Sequence, residues 1–334
     1  MKAFVVDKYK KKGPIRLADM PEPQPDTNDV LVRIHATALN QLDSKLRDGE
    51  FKLFLPYRPP FILGHDLAGT VVRVGANVRG FKVGDEVYAR PHDHRIGTFA
   101  ELIAVDAADL ALKPASLTME EAASVPLVGL TAWQALVELG KVQPGQKVFI
   151  QAGSGGVGTI AIQLAKHLGA TVATTTSAAN ADLVRSLGAD VVIDYKTQDF
   201  EQVLSDYDLV LHSQDTTALK KSLKVLKSGG LLVSISGPPT PAFARDLKLN
   251  AFLRFVIHML SRGVRNEARL RCVRYTFLFM RAEGSQLAQI AKLFDEGVIR
   301  PVVDKVFPFA QTAEALAYVE TGRAKGKVVV KVAD

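Results

Sequence analysis

Cysteine is nearly absent from this 334-residue sequence, in which Cys272 is the only one. A single thiol cannot form an intrachain disulfide, and it cannot supply the several thiolates of a cysteine-rich zinc site. No apolar run is long enough for a membrane span or for the apolar region of a signal peptide. These absences exclude a disulfide-stabilised secreted domain, and we expect a cytoplasmic protein with no membrane span.

Strong charge of one sign is also missing. Lys and Arg number 42 and Asp and Glu 35, which gives a net charge of +7, and 47% of the residues are hydrophobic. This composition excludes a disordered, collagen-like or coiled-coil chain, and the length predicts about two domains. The small positive excess suits a phosphorylated cofactor and is weak support for nucleic acid, so we expect no nucleic-acid partner.

Short β-branched segments with Gly turns fill the first hundred residues, which predicts a compact β barrel or irregular sandwich. The closing segment, GKVVVKV, is similar in composition. We therefore expect the two ends of the chain to pair and to form one domain, 1–120 with 286–334.

Strands and helices alternate in the middle of the chain. Thr118 with Glu121 three residues later predicts a capped helix start, and strands are expected from Lys147, Thr171, Val191, Leu209 and Leu231. Helical patterns over 157–168, 179–187 and 219–226 separate them, so we predict a doubly wound parallel sheet in a domain covering 121–285.

An apolar, Arg-rich insert at about 240–283 interrupts this alternation. It predicts a helix, a break at Gly263, a second amphipathic helical piece and a possible strand. The insert either packs over a cleft or a dimer face, or contacts a membrane surface or nucleic acid.

The most informative segment follows the strand at Lys147 and opens a helix: Gly153-Ser154-Gly155-Gly156-Val157-Gly158. Its Gly-x-Gly-x-x-Gly spacing in this context is the dinucleotide fingerprint. Gly153 allows the tight turn, Gly155 lets the backbone approach a pyrophosphate, and Gly158 lets the helix pack on the strand. The helix N-terminus favours the phosphates. The alternative is a Gly-rich turn without a ligand.

The turn after the second strand of this unit indicates which nucleotide binds. NAD sites carry an acidic residue there that binds the ribose 2′-hydroxyl. Residues 174–180 read TTTSAAN, and the first carboxylate is Asp182. Hydroxyl and amide groups bind a 2′-phosphate without repelling it, and Arg185 adds positive charge nearby. We therefore predict NADPH as the cofactor.

Several motifs together resemble the medium-chain dehydrogenase/reductase superfamily, and within it the zinc-independent quinone oxidoreductase and alkenal (enone) reductase branch. They are GHDLAGTVVRVG (64–75), VGDEV (83–87), LTA (130–132), AGSGGVG (152–158), LGAD (187–190), IDY (193–195) and GKVV (326–329). The resemblance spans nearly the whole chain. It implies an α/β fold with a Rossmann doubly wound parallel sheet, a GroES-like β-rich catalytic domain, and an active site in the cleft between the two domains.

The chain departs from the zinc-dependent members of that superfamily. Where those carry a Cys ligand, this chain has Asn40-x-x-Asp43, the pattern of the metal-free branch, and the Cys-rich structural lobe is missing. A catalytic zinc needs three protein ligands, so we expect no metal. The alternative is a nitrogen and oxygen site made from Asp43, His65, His92 and His94; otherwise His65 is structural and the other two histidines are solvated.

The resemblance implies reduction of quinones, or of the C=C bond of α,β-unsaturated carbonyl compounds, by hydride transfer from NADPH. It also suggests a homodimer. The carried-over residues are Asn40 and Asp43 at the nicotinamide end, Thr131 near the nicotinamide ribose or phosphate, Ser177, Asn180 and Tyr195 near the adenosine 2′-phosphate, and Ser236 and Gly237 facing the nicotinamide. The branch often has Lys in the second-strand turn, where this chain has Ala179 or Asn180.

Tyr57 is the candidate proton donor, since a phenol can hydrogen-bond a carbonyl oxygen and pass on a proton. The alternatives are solvent as the donor and Tyr57 packed on Pro59 and Pro60. Asp43 is either structural or an acid–base group. Competing functions are a cofactor-binding redox sensor, an RNA-associated protein, or a zinc-free alcohol or enoyl-thioester oxidoreductase.

Overall fold

The computed structural model describes residues 1–333. The chain divides into two compact units, Met1–Leu130 with the residues from Arg281 onward, and Thr131–Met280. The domain limits near residues 120 and 285 stay a prediction, because compactness alone does not show where an independently folding domain begins.

Sixteen strands and eleven α-helices occur in the described residues. The strands are β1 (Lys2–Val6), β2 (Arg16–Asp19), β3 (Asp29–Leu39), β4 (Phe61–Ile62), β5 (Asp66–Val74), β6 (Glu86–Ala89), β7 (Leu102–Asp106), β8 (Leu110–Leu112), β9 (Lys147–Ile150), β10 (Thr171–Thr176), β11 (Val191–Asp194), β12 (Tyr207–His212), β13 (Leu226–Ser234), β14 (Arg274–Phe277), β15 (Val303–Pro308) and β16 (Lys327–Lys331).

The helices are α1 (Gln41–Asp48), α2 (Met119–Ala123), α3 (Pro126–Trp133), α4 (Gly156–His167), α5 (Ala181–Ser186), α6 (Phe200–Val203), α7 (Thr216–Lys224), α8 (Pro241–Asp246), α9 (Ala251–Leu270), α10 (Gly284–Asp295) and α11 (Thr312–Glu320). A π-helical stretch, Gln134–Leu139, follows α3. Short 3-10 turns lie at Asp93–Arg95, Ala107–Asp109, Ala178–Asn180 and Phe309–Gln311. The predicted start of α2 is confirmed: Thr118 and Glu121 form a reciprocal capping box.

The first unit is β-rich, and both ends of the chain contribute to it. Its larger sheet has the order β15-β16-β3-β5-β6-β8, with β7 also paired to β3. The last strand, β16, runs antiparallel to β3, with Val328 opposite Leu39. The predicted pairing of the two chain ends is therefore confirmed. Buried aliphatic residues of β3, β5, β6 and β7 form a core against this sheet.

The second unit contains a six-stranded sheet in the order β11-β10-β9-β12-β13-β14. All its pairings are parallel. Numbered within the unit, this order is 3-2-1-4-5-6, the Rossmann arrangement. Central strands buried on both faces explain the continuous apolar runs, such as the fully buried Val148, Phe149 and Ile150 of β9. The predicted doubly wound sheet is confirmed.

The predicted break at Gly263 is wrong, because α9 continues through that residue. A glycine costs a helix only about 1 kcal/mol relative to alanine. Buried Ile257, Ser261 and Ala268 anchor the inner face of α9 on both sides of Gly263. The possible strand that the sequence predicted in the insert is confirmed, since β14 lies beside β13 as the sixth strand of the sheet.

Candidate functional site

The glycine loop joins β9 to α4, and its three key glycines differ in what surrounds them. A Cβ on Gly153 would lie 2.1 Å from Thr174 Oγ1, and one on Gly158 would lie 2.4 Å from the carbonyl oxygen of Ala152. On Gly155 the nearest atom would be that same carbonyl oxygen at 3.3 Å, with nothing else within 4 Å. Packing therefore requires two of the glycines, whereas the third leaves open space, as expected where a ligand approaches.

The turn after β10 lies against the glycine loop. Ser154 Oγ accepts hydrogen bonds from Thr176 Oγ1 at 2.9 Å and from Asn180 Nδ2 at 3.2 Å. The backbone N–H of Tyr195 donates to the carbonyl of Thr176 at 3.2 Å, and the Tyr195 side chain is exposed. Ser177 follows β10 directly. The structure thus brings the predicted 2′-phosphate residues to one place.

Only neutral hydrogen-bonding side chains join Ser154 in this cluster. Asn180 Oδ1 is buried and has no hydrogen-bond partner within residues 1–333. The nearest carboxylate in sequence, Asp182, is fully exposed and pairs with Arg185 at 3.1 Å. An exposed pair of this kind is weak, so Arg185 is able to turn to another anion.

A network that the sequence did not predict supports the ends of β12 and β13. His212 Nε2 lies 3.1 Å from the main-chain oxygen of Asp215, which can only accept, so this nitrogen carries the proton. Nδ1 then accepts from Ser234 Oγ at 2.8 Å, and that oxygen accepts from the Gly237 N–H at 2.7 Å. Burial lowers the pKa of His212 to about 4, which keeps the ring neutral.

The segment after β13 is held by the same network. Ser236 Oγ donates to the carbonyl of Gln214 at 2.7 Å, so its hydroxyl hydrogen is engaged. Gly237 is close-packed, since a Cβ there would lie 2.7 Å from Leu219 and from Tyr275 Oη. Thr131, the remaining predicted cofactor residue of this unit, is buried in α3.

In the first unit, Asn40 and Asp43 form the start of α1. Asp43 Oδ2 accepts from the Asn40 backbone N–H at 2.7 Å. Its other oxygen lies 2.6 Å from His65 Nδ1, and Asp43 and His65 are both fully buried. The His65 Nε2 atom is buried without a hydrogen-bond partner among residues 1–333. Asp43 therefore caps a helix and orients a histidine, which favours its structural role.

A buried ion pair lies beside this dyad. Asp66 accepts from Asn40 Nδ2 at 2.8 Å, from the Leu127 N–H at 2.7 Å and from Lys327 Nζ at 3.0 Å. Lys327 also donates to the carbonyl of Leu39 at 3.0 Å and to Asn40 Oδ1. The sequence identified Lys327 only as part of the GKVV motif. It did not predict the ion pair with Asp66, because no local pattern indicates a partner more than 250 residues away.

Tyr57 is half-buried, and its hydroxyl donates to the main-chain oxygen of Asp93. Its ring stacks on Phe61 with the ring centroids 5.2 Å apart. Burial and the nearby Asp93 carboxylate raise the pKa of Tyr57. The proton-donor role stays a prediction, and in this conformation the phenol proton is already shared with a carbonyl.

The candidate metal ligands do not assemble. His92 Nδ1 lies 2.7 Å from Asp109 Oδ2, His94 is exposed, and His65 faces Asp43. Within residues 1–333, no group of three or more His, Cys, Asp or Glu side chains is placed to hold a metal ion. The side chains present do not fit a zinc site of the three-ligand kind.

The fold and the glycine loop define a dinucleotide-dependent oxidoreductase. Residues 26–115 match the alcohol dehydrogenase GroES-like domain, and residues 187–330 match the zinc-binding dehydrogenase family. The chain is 35% identical to the mitochondrial NAD(P)H oxidoreductase RTN4IP1 of Danio rerio, over 99% of this chain and 91% of that protein.

Two further relatives have names that describe an activity. The chain is 36% identical to the chloroplastic NADPH-dependent alkenal/one oxidoreductase of Arabidopsis thaliana, over 99% of this chain and 79% of that protein. It also superimposes on the quinone oxidoreductase of Coxiella burnetii with a TM-score of 0.87 and 31% identity, over 99% of both chains. The chain therefore belongs to the medium-chain dehydrogenase/reductase superfamily, in its zinc-independent branch, as the sequence predicted.

Proposed function

We propose that this protein reduces quinones or the C=C bond of α,β-unsaturated carbonyl compounds with NADPH as hydride donor and without a metal ion. The open space at Gly155 carries the cofactor part of this proposal, because a residue without a Cβ leaves room there for a pyrophosphate to approach the backbone. The named activities of the relatives support the acceptor classes.

The glycine loop would hold the cofactor pyrophosphate. Backbone N–H groups at the start of α4 have no acceptor within the helix, and the helix dipole adds positive potential there. Ser154, Ser177, Asn180 and Tyr195 would surround the adenosine 2′-phosphate. Because the side chains that hydrogen-bond Ser154 in this cluster are neutral, a 2′-phosphate would meet hydrogen-bonding groups there, which favours NADPH over NADH.

The bound cofactor would supply the hydride, and the residues of the chain would bind and orient the cofactor and the acceptor. Ser236 and Gly237, held by the His212 network, are proposed to border the nicotinamide. A conjugated acceptor suits the residues of this chain because hydride addition at carbon moves charge onto an oxygen that solvent can protonate. The placement of Asn40 and Asp43 at the nicotinamide end, and Tyr57 as a donor, stay predictions.

The test measures oxidation of NADPH by the EDTA-treated protein. The absorbance of the reduced nicotinamide monitors the reaction. A benzoquinone, phenanthrenequinone, an alkenal, a simple ketone and an enoyl thioester are offered in parallel, beside an NADH control. We expect turnover of quinones or alkenals with a preference for NADPH. Tight NADPH binding without turnover of any acceptor would contradict the activity, and metal-dependent ketone reduction would contradict the metal-free site.

We also propose a cytoplasmic location, a homodimer and no nucleic-acid partner. Relatives named as mitochondrial and chloroplastic make the location a separate question for cell fractionation. None of the helices in residues 1–333 is long and apolar enough to cross a membrane.

A further inference from the structure

The helix α9 carries large apolar side chains on its exposed surface. Their exposed fractions are 72% for Phe252, 63% for Phe255, 46% for Met259, 63% for Leu260 and 86% for Leu270. Single exposed apolar residues are ordinary, but five on one helix expose an amount of apolar surface that water does not favour.

Four of these five residues share one side of the helix and form a stripe, and Leu260 lies outside it. At about 100° per residue, Phe252, Phe255, Met259 and Leu270 project within a narrow sector. The inner side, marked by Ile257, Ser261 and Ala268, is buried. The stripe therefore lies on the side of α9 opposite to the side that packs on its own unit.

Positive charge borders the stripe along one side. Arg254, Arg262, Arg265 and Arg269 fall in the adjoining sector of the helix, and Glu267 is the only acidic residue in α9. Two copies that met stripe to stripe with antiparallel helices would bring these arginines together, so charge disfavours that arrangement of a second copy on this face. An apolar stripe beside a basic one instead matches a lipid surface that has acyl chains below anionic phosphates.

We propose that α9 docks the protein on anionic membranes, lying in the plane of the interface with Phe252 and Phe255 inserted and the arginines at the phosphates. The site is separate from the glycine loop and needs no turnover. Failure of this proposal is thus distinguishable from failure of the proposed enzymatic activity.

The experiment is flotation of the full-length protein with vesicles of phosphatidylcholine alone or mixed with phosphatidylglycerol. We expect binding to the anionic vesicles, weaker binding to neutral ones, and loss of binding as salt rises. The double variants Phe252→Ser/Phe255→Ser and Arg262→Gln/Arg269→Gln should each lower the bound fraction by roughly tenfold. Val83→Ser, at another exposed apolar residue (63% exposed), is the matched control and should bind like the parent protein.

Every variant is also checked by its melting temperature and by oligomeric state from light scattering. Equal vesicle binding by the parent and both double variants would overturn the proposal. So would an absence of vesicle binding combined with a change of oligomeric state in Phe252→Ser/Phe255→Ser, since that result assigns the stripe to a second copy.

Discussion

His212 couples the stability of the second unit to pH. Its pKa is lowered from 6.5 to about 4 by burial, with its ring between Ser234 and the Asp215 carbonyl. Above pH 6.5 both folded and unfolded chains hold it neutral, so the shift has no effect there. As pH falls from 6.5 towards 4, the unfolded chain takes up a proton that the folded chain refuses, and stability falls by up to about 3 kcal/mol.

Denaturant unfolding at a series of pH values across this window tests the effect, with His212→Gln as the comparison. The variant should be less stable near neutral pH yet lose less stability on acidification. Carboxylates with lowered pKa values, such as Asp29 and Asp190, begin to lose their contribution near about pH 5 and lose most of it below 3.8, so the upper part of the window reports His212. If the unfolding free energies of the two proteins fell in parallel with pH, a group other than His212 would be responsible for the pH dependence.

Tyr57→Phe separates the two sources of the proton. The phenol donates to the Asp93 carbonyl and its pKa is raised, so it is a poor acid in this conformation. We expect kcat within about tenfold of the parent, with solvent protonating the product. A loss of roughly a hundredfold or more, with unchanged NADPH affinity, would instead establish Tyr57 as the donor.

Within the strand–loop–helix element, two glycines should respond in opposite ways to the same added methyl group. Gly158→Ala meets the Ala152 carbonyl at 2.4 Å and should cost about 1–3 kcal/mol of unfolding free energy. Gly155→Ala meets that atom only at 3.3 Å, so folding should be nearly unchanged while NADPH affinity falls by at least roughly tenfold. Melting temperature and fluorescence titration with NADPH measure the two effects. A Gly155→Ala protein that binds NADPH normally would place the pyrophosphate elsewhere.

Local signals predicted the elements that local chemistry determines. The capping box at Thr118, the strand–glycine–helix junction and the alternating strands could all be found from neighbouring residues. The prediction of a break at Gly263 was wrong because the free-energy cost of a glycine in a helix is smaller than the stabilisation from the packing on either side of it. The His212 network and the Asp66–Lys327 pair could not be found, because their partners meet only after the sheets have formed.

At the scale of the whole molecule, Lys327 joins the two ends of the chain inside the first unit. Lys327→Met leaves Asp66 buried without its cation and should lower the unfolding free energy by about 3–5 kcal/mol. Lys325→Met, two residues earlier on an exposed turn, is the control and should change stability little. Denaturant unfolding of both variants measures the difference, and similar values would mean that the pair contributes little.

The pairing of β16 with β3 also has a consequence for synthesis on the ribosome. Lys327, the first residue of β16, is translated 288 residues after Leu39, whose carbonyl accepts its hydrogen bond at the end of β3. At ordinary elongation rates the N-terminal strands therefore wait on the order of tens of seconds with an open edge. During that time Thr131–Met280 emerges in full and has all the strands of its own sheet. The middle of the chain is free to fold first, and the nascent β-rich segment is the natural client for a chaperone until the last strand arrives.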